Sequence, residues 1–380
     1  MRSVRLFGVA LVMVLSVAAV GCGGSSSSSS SDGKGSEAAS GDTDYGAMLA
    51  QLYKGTYTEP TGAAFKPPSG KNVWVISAGM NIETAQNAAK GIEEASGLLG
   101  WRTTVFDGQF DSSRALGGIE QAVADKADGI IMLYLDCGPV KAALEKAKGA
   151  GIPIVAIEGK DCEPSVFTHV VTYAGNEKFE DWIQKWGRAQ AEWLVGSKDG
   201  KAKAIVSVQT DLETTRLAGK GSMEVFAECG DCEAVELGFV GSEFGPKLQQ
   251  KITDALLKNP NADSFLGAYD AVLTSGGAQA LISSGRDILS MGGEGSAPGI
   301  KLIREDRGMN GCIGIPTSME GWAAVDGVAR ALAGKDPAES DSGIGIQACD
   351  AEHNMPKKEG EGFEAPVDYR AVYSRNWGVG

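Results

Sequence analysis

Histidine is nearly absent from this chain, which has two in 380 residues. Because histidine is the commonest metal ligand and the commonest general base, its scarcity disfavours metal sites and acid–base catalysis. The densest group of possible metal ligands is Cys349, Asp350, Glu352 and His353. It holds one histidine and a cysteine that we expect to be bridged, so we predict no metal there. Walker and GxGxxG motifs are also missing, as is any nucleophile with a base and an orienting group, so we predict neither a cofactor nor an enzyme.

Positive charge is also scarce. The chain has 35 lysine and arginine residues against 49 acidic ones, which gives a formal net charge of −14. The basic residues are scattered and form no patch that could hold a phosphate backbone, so we predict no nucleic-acid partner. The same charge is repelled by anionic lipid surfaces, so attachment to a membrane would depend on a lipid anchor.

Long apolar runs are missing everywhere except at the start of the chain. Arg2 and Arg5 are followed by an apolar stretch of fifteen residues, Leu6–Val20, and then by Gly21 and Cys22. This order is typical of a secretory signal peptide, and the apolar stretch is shorter than the ~20 residues of a membrane-spanning helix. Its ending resembles the lipobox of bacterial lipoproteins, which implies removal of residues 1–21 and a lipid on Cys22. An ordinary signal peptide with an unmodified Cys22 is the alternative.

Residues 22–70 are predicted to form a tether and a lead-in. Seven serines, Ser25–Ser31, give a flexible segment with nothing to bury. Apolar residues between Met48 and Tyr53 have helical spacing and predict one short docked helix. The protein beyond this tether is therefore expected to work outside the cell.

Six cysteines are left once Cys22 is set aside, and an even number in an exported protein indicates disulfides. Six cysteines allow fifteen pairings, and buried free thiols are the alternative. The pairs that we favour from the predicted strands are Cys137 with Cys162, Cys229 with Cys232, and Cys312 with Cys349. Cys229 and Cys232 have the spacing of a redox-active pair, but they follow a predicted helix, whereas reactive pairs lie at a helix N-terminus. We therefore predict a structural bond there.

From Lys71 onward, apolar strands alternate with amphipathic helices. The first unit is a strand over 73–78 and a helix over 83–99; the pattern runs to about 173 and restarts at Lys203 after a long helix over 176–196. Near-continuous apolar strands of this kind predict parallel sheets covered on both faces. About 310 residues exceed one hydrophobic core, so we predict an α/β fold with two doubly wound lobes. A last strand crossing between the lobes is predicted over Asp368–Tyr373.

Several stretches together resemble type I periplasmic binding proteins of the ribose/galactose-binding group. They are Ser77–Asn81 after the first strand, Ala127–Ile131, Ala150–Val155, and Asn259-Pro260 with Ala262-Asp263. The resemblance covers residues 71 to about 335 and implies two lobes joined by a three-strand hinge, with boundaries at 71–174 plus 316–343 and at 175–315 plus 344–380. Transcription regulators of the same fold begin with a DNA-binding helix-turn-helix, whose place is taken here by the signal peptide and serine segment.

The resemblance also implies where a ligand would bind, namely between the lobes in the loops that follow the strands. The residues that it assigns to this site are Met80, Asn81, Tyr134, Glu158, Arg216, Tyr269, Asp270, Glu294 and Ile315. The chain departs from the family pattern in several places. Thr84 and Ala85 stand where an aromatic pair is usual, Ile315 stands where glutamine is common, and Glu158 and Glu294 stand where aspartate is usual. The carboxylates that are present suit hydroxyl or cationic groups, because a carboxylate only accepts hydrogen bonds.

The implied function is that of a monomeric, lipid-anchored, extracytoplasmic solute-binding protein that delivers a sugar or polyol to the permease subunits of an ABC importer. Because the stacking aromatics are missing, a non-sugar solute such as an amine, a nucleoside or a small aromatic compound is an alternative. A sensor that reports a ligand to a membrane receptor is another. Trp182, Trp186 and Trp193 have helical spacing and are predicted to serve packing.

Overall fold

The computed structural model describes residues 43–379, so the predicted signal peptide and Cys22 lie outside the described residues. Within 43–379, no helix has the length and apolar character needed to cross a membrane. The helices described here are α1 (Tyr45–Lys54), α2 (Glu83–Leu98), α3 (Ser112–Ala124), α4 (Lys141–Gly149), α5 (Phe179–Ser197), α6 (Glu213–Glu228), α7 (Pro246–Lys258), α8 (Asp270–Val272), α9 (Ala278–Ser283), α10 (Ala297–Arg304), α11 (Thr317–Leu332) and α12 (Tyr369–Trp377).

The first lobe is built on a five-stranded parallel sheet. Its strands, in chain order, are β1 (Asn72–Ser77), β2 (Arg102–Asp107), β3 (Gly129–Leu133), β4 (Ile154–Ile157) and β5 (His169–Val170). In space their order is β2-β1-β3-β4-β5. Side chains alternate between the two faces along each strand, so Val73 and Val75 pack with α2 and α11 while Trp74 and Ile76 pack with α3 and α4.

The second lobe repeats this plan with a six-stranded sheet. Its strands are β6 (Lys203–Gln209), β7 (Glu233–Phe239), β8 (Ser264–Leu266), β9 (Leu289–Met291), β10 (Gly311–Ile313) and β11 (Ala348–Asp350). Their order is β11-β10-β9-β8-β6-β7, and only β11 runs antiparallel to its neighbour. Helices α5 and α6 contribute to one core and α7, α9 and α10 to the other. Two α/β lobes with mainly parallel sheets agree with the predicted fold class.

Close contact between α5 and α6 depends on glycine. Gly221 on α6 lies against the main-chain carbonyl of Gln184 on α5, and a Cβ atom there would collide with that carbonyl. Gly187 on α5 has the same relation to Ala218 on α6. The two helices therefore pack backbone to backbone, which holds the first turns of α6 in place at the edge of the cleft between the lobes.

The chain crosses between the lobes more often than the predicted hinge requires. Three crossings join the sheets, at residues 171–178, 314–316 and 340–347. The lead-in adds a fourth: α1 packs on α5, and residues 56–61 then pair with the third crossing, as in Thr56 N to Ile346 O at 3.0 Å and Thr58 N to Gly343 O at 3.0 Å. Phe65 then donates a main-chain hydrogen bond to Asn376 O of α12, at 2.8 Å.

The C-terminal segment makes the fifth crossing. The prediction of a strand over Asp368–Tyr373 is wrong, because this segment forms a helix. Phe363 packs against Gly314 at the hinge, and the chain continues into helix α12, which packs on α11 of the first lobe. Tyr369, Val372, Tyr373 and Trp377 are its buried residues. Their spacing of three, four and eight positions is helical, and the prediction overlooked it. Trp377 stacks on Trp322 and donates a hydrogen bond to Asp326 at 2.8 Å, which fixes the end of the chain.

Candidate ligand-binding cleft

A cavity of about 520 Å³ lies between the two lobes. Its walls are the loops that follow the strands of both sheets, together with the first turns of α3 and α6 and the inner face of α5. This is the edge at which ligands bind in open α/β sheets, and the volume suits a small organic molecule.

Five of the nine predicted site residues line this cavity: Tyr134, Glu158, Tyr269, Glu294 and Ile315. Each of them directly follows a strand or lies within a few residues of its end. Because the carboxyl ends of parallel strands meet at one edge of a sheet, their convergence follows from the topology.

The structure places the other four predicted residues away from the cavity lining, and two of these, Asn81 and Arg216, are exposed. Asn81 precedes Ile82, which lines the cavity in its place. Arg216 pairs with Glu213 on the outer face of α6. Successive residues of a helix differ by about 100° in direction, so the neighbouring Thr215 faces the cavity and Arg216 does not. The structure thus brings Thr215 to the cavity and leaves the predicted Arg216 outside its lining.

Met80 and Asp270 are also outside the lining, and both hold loops in place. The main-chain N–H of Met80 donates to Asp107 at 3.0 Å. The buried carboxylate of Asp270 accepts hydrogen bonds from Gly293 N at 2.7 Å and from Ser296 N and Oγ at 2.6 and 2.7 Å. Asp270 therefore fixes the loop that carries Glu294 and does not itself face the cavity.

Several lining residues were not predicted. Gln209 and Asp136 end or follow strands β6 and β3, so their positions gave a signal that could have been used. Phe110 lies in the loop after β2. Trp186 was predicted to serve packing. It is buried and donates to Ile313 O at 3.0 Å, and it also belongs to the cavity lining.

Left-handed backbone conformations concentrate at this site. Of the nine non-glycine residues with positive φ in the described chain, four line the cavity: Gln109, Phe110, Tyr134 and Glu158. This conformation costs free energy for residues with a Cβ atom and persists where the surrounding structure enforces it, often at functional sites. At each of these four positions, shortly after the end of a strand, the left-handed backbone conformation directs the side chain toward the cavity wall.

Three carboxyl groups form what we call the acid cluster: Glu158 and Glu320, which are buried, and Glu294, which is partly buried. Glu320 is fully buried on the first turn of α11 behind Tyr134, whose hydroxyl donates to it at 3.2 Å; Tyr173 donates to its other oxygen at 3.1 Å. Glu158 lies close enough to Glu320 for the charge of one carboxyl group to affect the other. Glu320 was not predicted from the sequence, because it lies in a helix whose other residues are almost all small or apolar and give no sign of a polar site.

Burial controls the protonation of the acid cluster. Desolvation raises the pKa of Glu320 to about 7, and desolvation together with the charge of Asp270 raises the pKa of Glu294 to about 8. The pKa of Glu158 is raised well above its usual value by desolvation and by the charges of Glu320 and Glu294. Neutral carboxyl groups are therefore present in the cluster near pH 7, and they share protons.

Comparison with known proteins gives a consistent picture. The model of the periplasmic binding protein domain family matches residues 73–336. The ribose import binding protein of Bacillus subtilis is 23% identical over 277 residues, which cover 71% of this chain and 86% of that protein.

Two solved structures resemble the fold of this chain. An ABC sugar transporter subunit from Rhodobacter sphaeroides has a TM-score of 0.64 at 21% identity, covering 75% of this chain and 99% of that one. A solute-binding protein from Agrobacterium vitis bound to α-D-tagatopyranose has a TM-score of 0.68 at 16% identity, covering 78% and 99%. The family match spans more than half of the chain, which belongs to the periplasmic binding protein family.

Proposed function

We propose that this protein is an extracytoplasmic solute-binding protein that captures a sugar or polyol and delivers it to the permease of an ABC importer. The observation that carries the proposal is the cavity of about 520 Å³ between the lobes, with carboxylates and aromatic rings on its walls. The Bacillus subtilis relative is named for ribose import, and the Agrobacterium vitis neighbour holds a sugar. The prediction that the chain is not an enzyme is confirmed by its membership of a family of binding components.

The cavity chemistry supports a polyhydroxylated cargo. Carboxylates accept hydrogen bonds from hydroxyl groups, and the faces of Phe110 and Trp186 suit the C–H face of a sugar ring. We propose Tyr134, Glu158, Tyr269, Glu294 and Ile315 as contact residues and Asp270 as a residue that positions Glu294.

We also propose that the mature protein begins at Cys22, carries a lipid there and acts as a monomer, with residues 22–43 as a tether. Two acyl chains on one cysteine would satisfy the usual requirement for stable membrane anchoring. An oxidising compartment outside the cell also suits the cysteines. The Cα atoms of Cys137 and Cys162 are 5.4 Å apart, those of Cys229 and Cys232 5.3 Å, and those of Cys312 and Cys349 5.1 Å. All three distances suit disulfide bonds.

A thermal-shift screen of the mature chain with Cys22→Ser tests the proposed cargo. The panel contains sugars, polyols, amines, nucleosides and small aromatic acids. A ligand at 100 times its Kd stabilises the folded state by ~2.7 kcal/mol, which raises the melting temperature measurably. We expect the hits to be polyhydroxylated compounds.

Two variants connect a hit with the cavity. Glu158→Gln should abolish the shift, because it removes a carboxylate that lines the cavity. Arg216→Gln is the matched control, since Arg216 is exposed outside the cavity and its loss should leave the shift unchanged. Hits confined to nucleosides or aromatic acids would contradict the proposed cargo.

A further inference from the structure

The tyrosine hydroxyl groups at the cavity are already used within the protein. Tyr134 donates its hydroxyl hydrogen to Glu320 at 3.2 Å. Tyr269 donates its hydroxyl hydrogen to the side-chain carbonyl of Gln209. A hydroxyl has one hydrogen to give, so neither tyrosine has a donor left for a ligand.

Three more lining donors also point into the protein. Trp186, Thr214 and Thr215 donate to main-chain carbonyls, at 3.0, 3.4 and 2.5 Å respectively. These five side-chain donors are therefore not available to a ligand, whereas the carboxylates of the lining supply strong acceptors.

The ionisable side chains that line the cavity are acidic, and none is basic in the part of the chain that the structure describes. Among the described residues, the cavity is lined by five carboxylic acids and by no lysine, arginine or histidine. No ion pair involves any member of the acid cluster within residues 43–379. The basic residues nearest in sequence to the site, Lys160 and Arg216, are exposed, and both pair with Glu213.

The titratable groups that face the acid cluster are acidic as well. Asp270 lies beside Glu294, and the hydroxyls of Tyr134 and Tyr173 contact Glu320. Tyr269 lies near Glu294, and burial raises the pKa of this tyrosine well above its usual value. None of these groups can supply a positive charge to the cluster.

We propose that the solute is a polyhydroxylated molecule with a protonated amino group, such as an amino sugar or an aminated polyol, and that its ammonium group binds at the acid cluster. This inference rests on the proposed function and adds a charge to the cargo. An ammonium group donates three hydrogen bonds and accepts none, so it matches a wall of acceptors. It also supplies the positive charge that buried carboxylates need to remain ionised.

Other charge states of the solute fit less well. A neutral sugar hydroxyl can donate to these carboxylates, but it brings no positive charge to balance them. An anionic solute such as a sugar acid or sugar phosphate would bring negative charge to a cluster that already lacks a counter-charge, which is strongly unfavourable.

Calorimetric titration of the mature Cys22→Ser chain with matched ligand triplets tests the inference. Each triplet contains a neutral parent, its amine and the N-acetylated amine: galactose, galactosamine and N-acetylgalactosamine; glucose, glucosamine and N-acetylglucosamine; sorbitol, glucamine and N-acetylglucamine. We expect at least one amine to bind about 100-fold more tightly than its parent, the size of effect that a buried charge pair produces. Acetylation, which removes the charge, should abolish this gain.

Proton release gives an independent readout. A cation at the acid cluster should drive protons off its carboxyl groups, so at pH 7 the heat of binding should vary with the ionisation enthalpy of the buffer. Glu294→Gln should reduce both the proton release and the preference for the amine; Glu158→Gln is the second variant if the first does not fold. Arg216→Gln is the matched control and should change neither.

The outcomes separate the inference from the proposed function. A neutral parent that binds as tightly as its amine overturns the inference and leaves the proposed function standing. Failure of every aminated compound to bind also overturns the inference. If simple alkyl amines bind and no polyhydroxylated compound does, the proposed function fails as well.

Discussion

At the scale of single residues, the acid cluster makes the stability of the ligand-free protein depend on pH. Its carboxyl groups keep protons in the folded state at pH values where they would lose them in the unfolded chain. The folded state therefore binds more protons, and its stability falls as pH rises from the unfolded pKa of about 4.5 through the folded values. His169, whose pKa burial lowers to about 4, acts in the opposite direction below pH 6.5, so the cluster is best observed above that pH.

We predict that the melting temperature of the ligand-free protein falls between pH 6.5 and 8.5. Glu294→Gln should flatten this dependence and raise the melting temperature at pH 8.5, because the amide cannot ionise. Differential scanning calorimetry at four pH values measures both effects. Glu213→Gln is the control: its pKa is lowered by Lys160, so it titrates in the folded state below this window and should leave the slope unchanged. A slope that is equal in the wild type and Glu294→Gln would contradict the prediction.

Sequence reasoning found part of the site at this scale. Glu158 and Glu294 were predicted because each follows a strand, where topology brings loops together. Glu320 was missed because nothing in a helical pattern tells which polar residue faces a cavity. Arg216 lies outside the lining although Thr215 is part of it, because one position on a helix changes direction by about 100°.

At the scale of secondary-structure elements, packing between helices decides whether replacing a helical glycine by alanine stabilises or destabilises the fold. Gly221 is buried at the contact between α6 and α5, whereas Gly117 is exposed on α3 with no atom near its missing Cβ. The same substitution should therefore have opposite effects at the two positions.

We predict that Gly221→Ala destabilises the protein by about 1–3 kcal/mol, because the new methyl group forces two helix backbones apart. Gly117→Ala should stabilise it by about 0.5–1 kcal/mol, because alanine favours helix without meeting a neighbour. Urea denaturation of both variants measures the difference. Equal effects at both positions would show that the contact between α5 and α6 is looser than described.

The elements themselves were largely predictable. Strands β1, β3 and β4 are short apolar runs bounded by turn residues, which is the pattern of a strand buried on both faces. The helical segment between Asp270 and Ser283 is interrupted, because Gly276 adopts a φ of 123° that ends the regular helix there. A strand was predicted in place of α12 because the expected hinge requires a crossing strand there, although the spacing of the apolar residues is helical.

At the scale of the whole molecule, the proposed attachment to the membrane depends on Cys22, which lies outside the described part of the chain. We predict that Cys22→Ser moves the protein from the membrane fraction to the soluble fraction, because the net charge of −14 offers no other attraction to a lipid surface. Immunoblots of the two fractions measure this. Mass spectrometry of the N-terminal peptide should show a diacylglycerol adduct in the wild type alone. Identical distribution of wild type and variant would contradict lipid anchoring.

The two-lobe architecture could be predicted from the repeating pattern of strands and helices. The additional crossing, in which residues 56–61 pair with residues 341–346, could not. Residues 56–61 have no apolar periodicity, and their partners lie almost three hundred positions away. Pairing over such a distance leaves no local signal in the sequence. The main-chain groups with which residues 56–61 pair belong to the crossing at 340–347, which takes its position only when both lobes have folded.

The pairing of residues 56–61 with residues 341–346 limits the order in which the chain can fold. Thr56 and Thr58 bond to Ile346 and Gly343, which the ribosome makes some 290 residues later, so the front of the chain has to wait for its end. Contacts between distant parts of a chain form slowly. A protein that completes its structure only after its last residues emerge spends longer as an extended chain, and a secretion channel that threads extended chains can act within that interval.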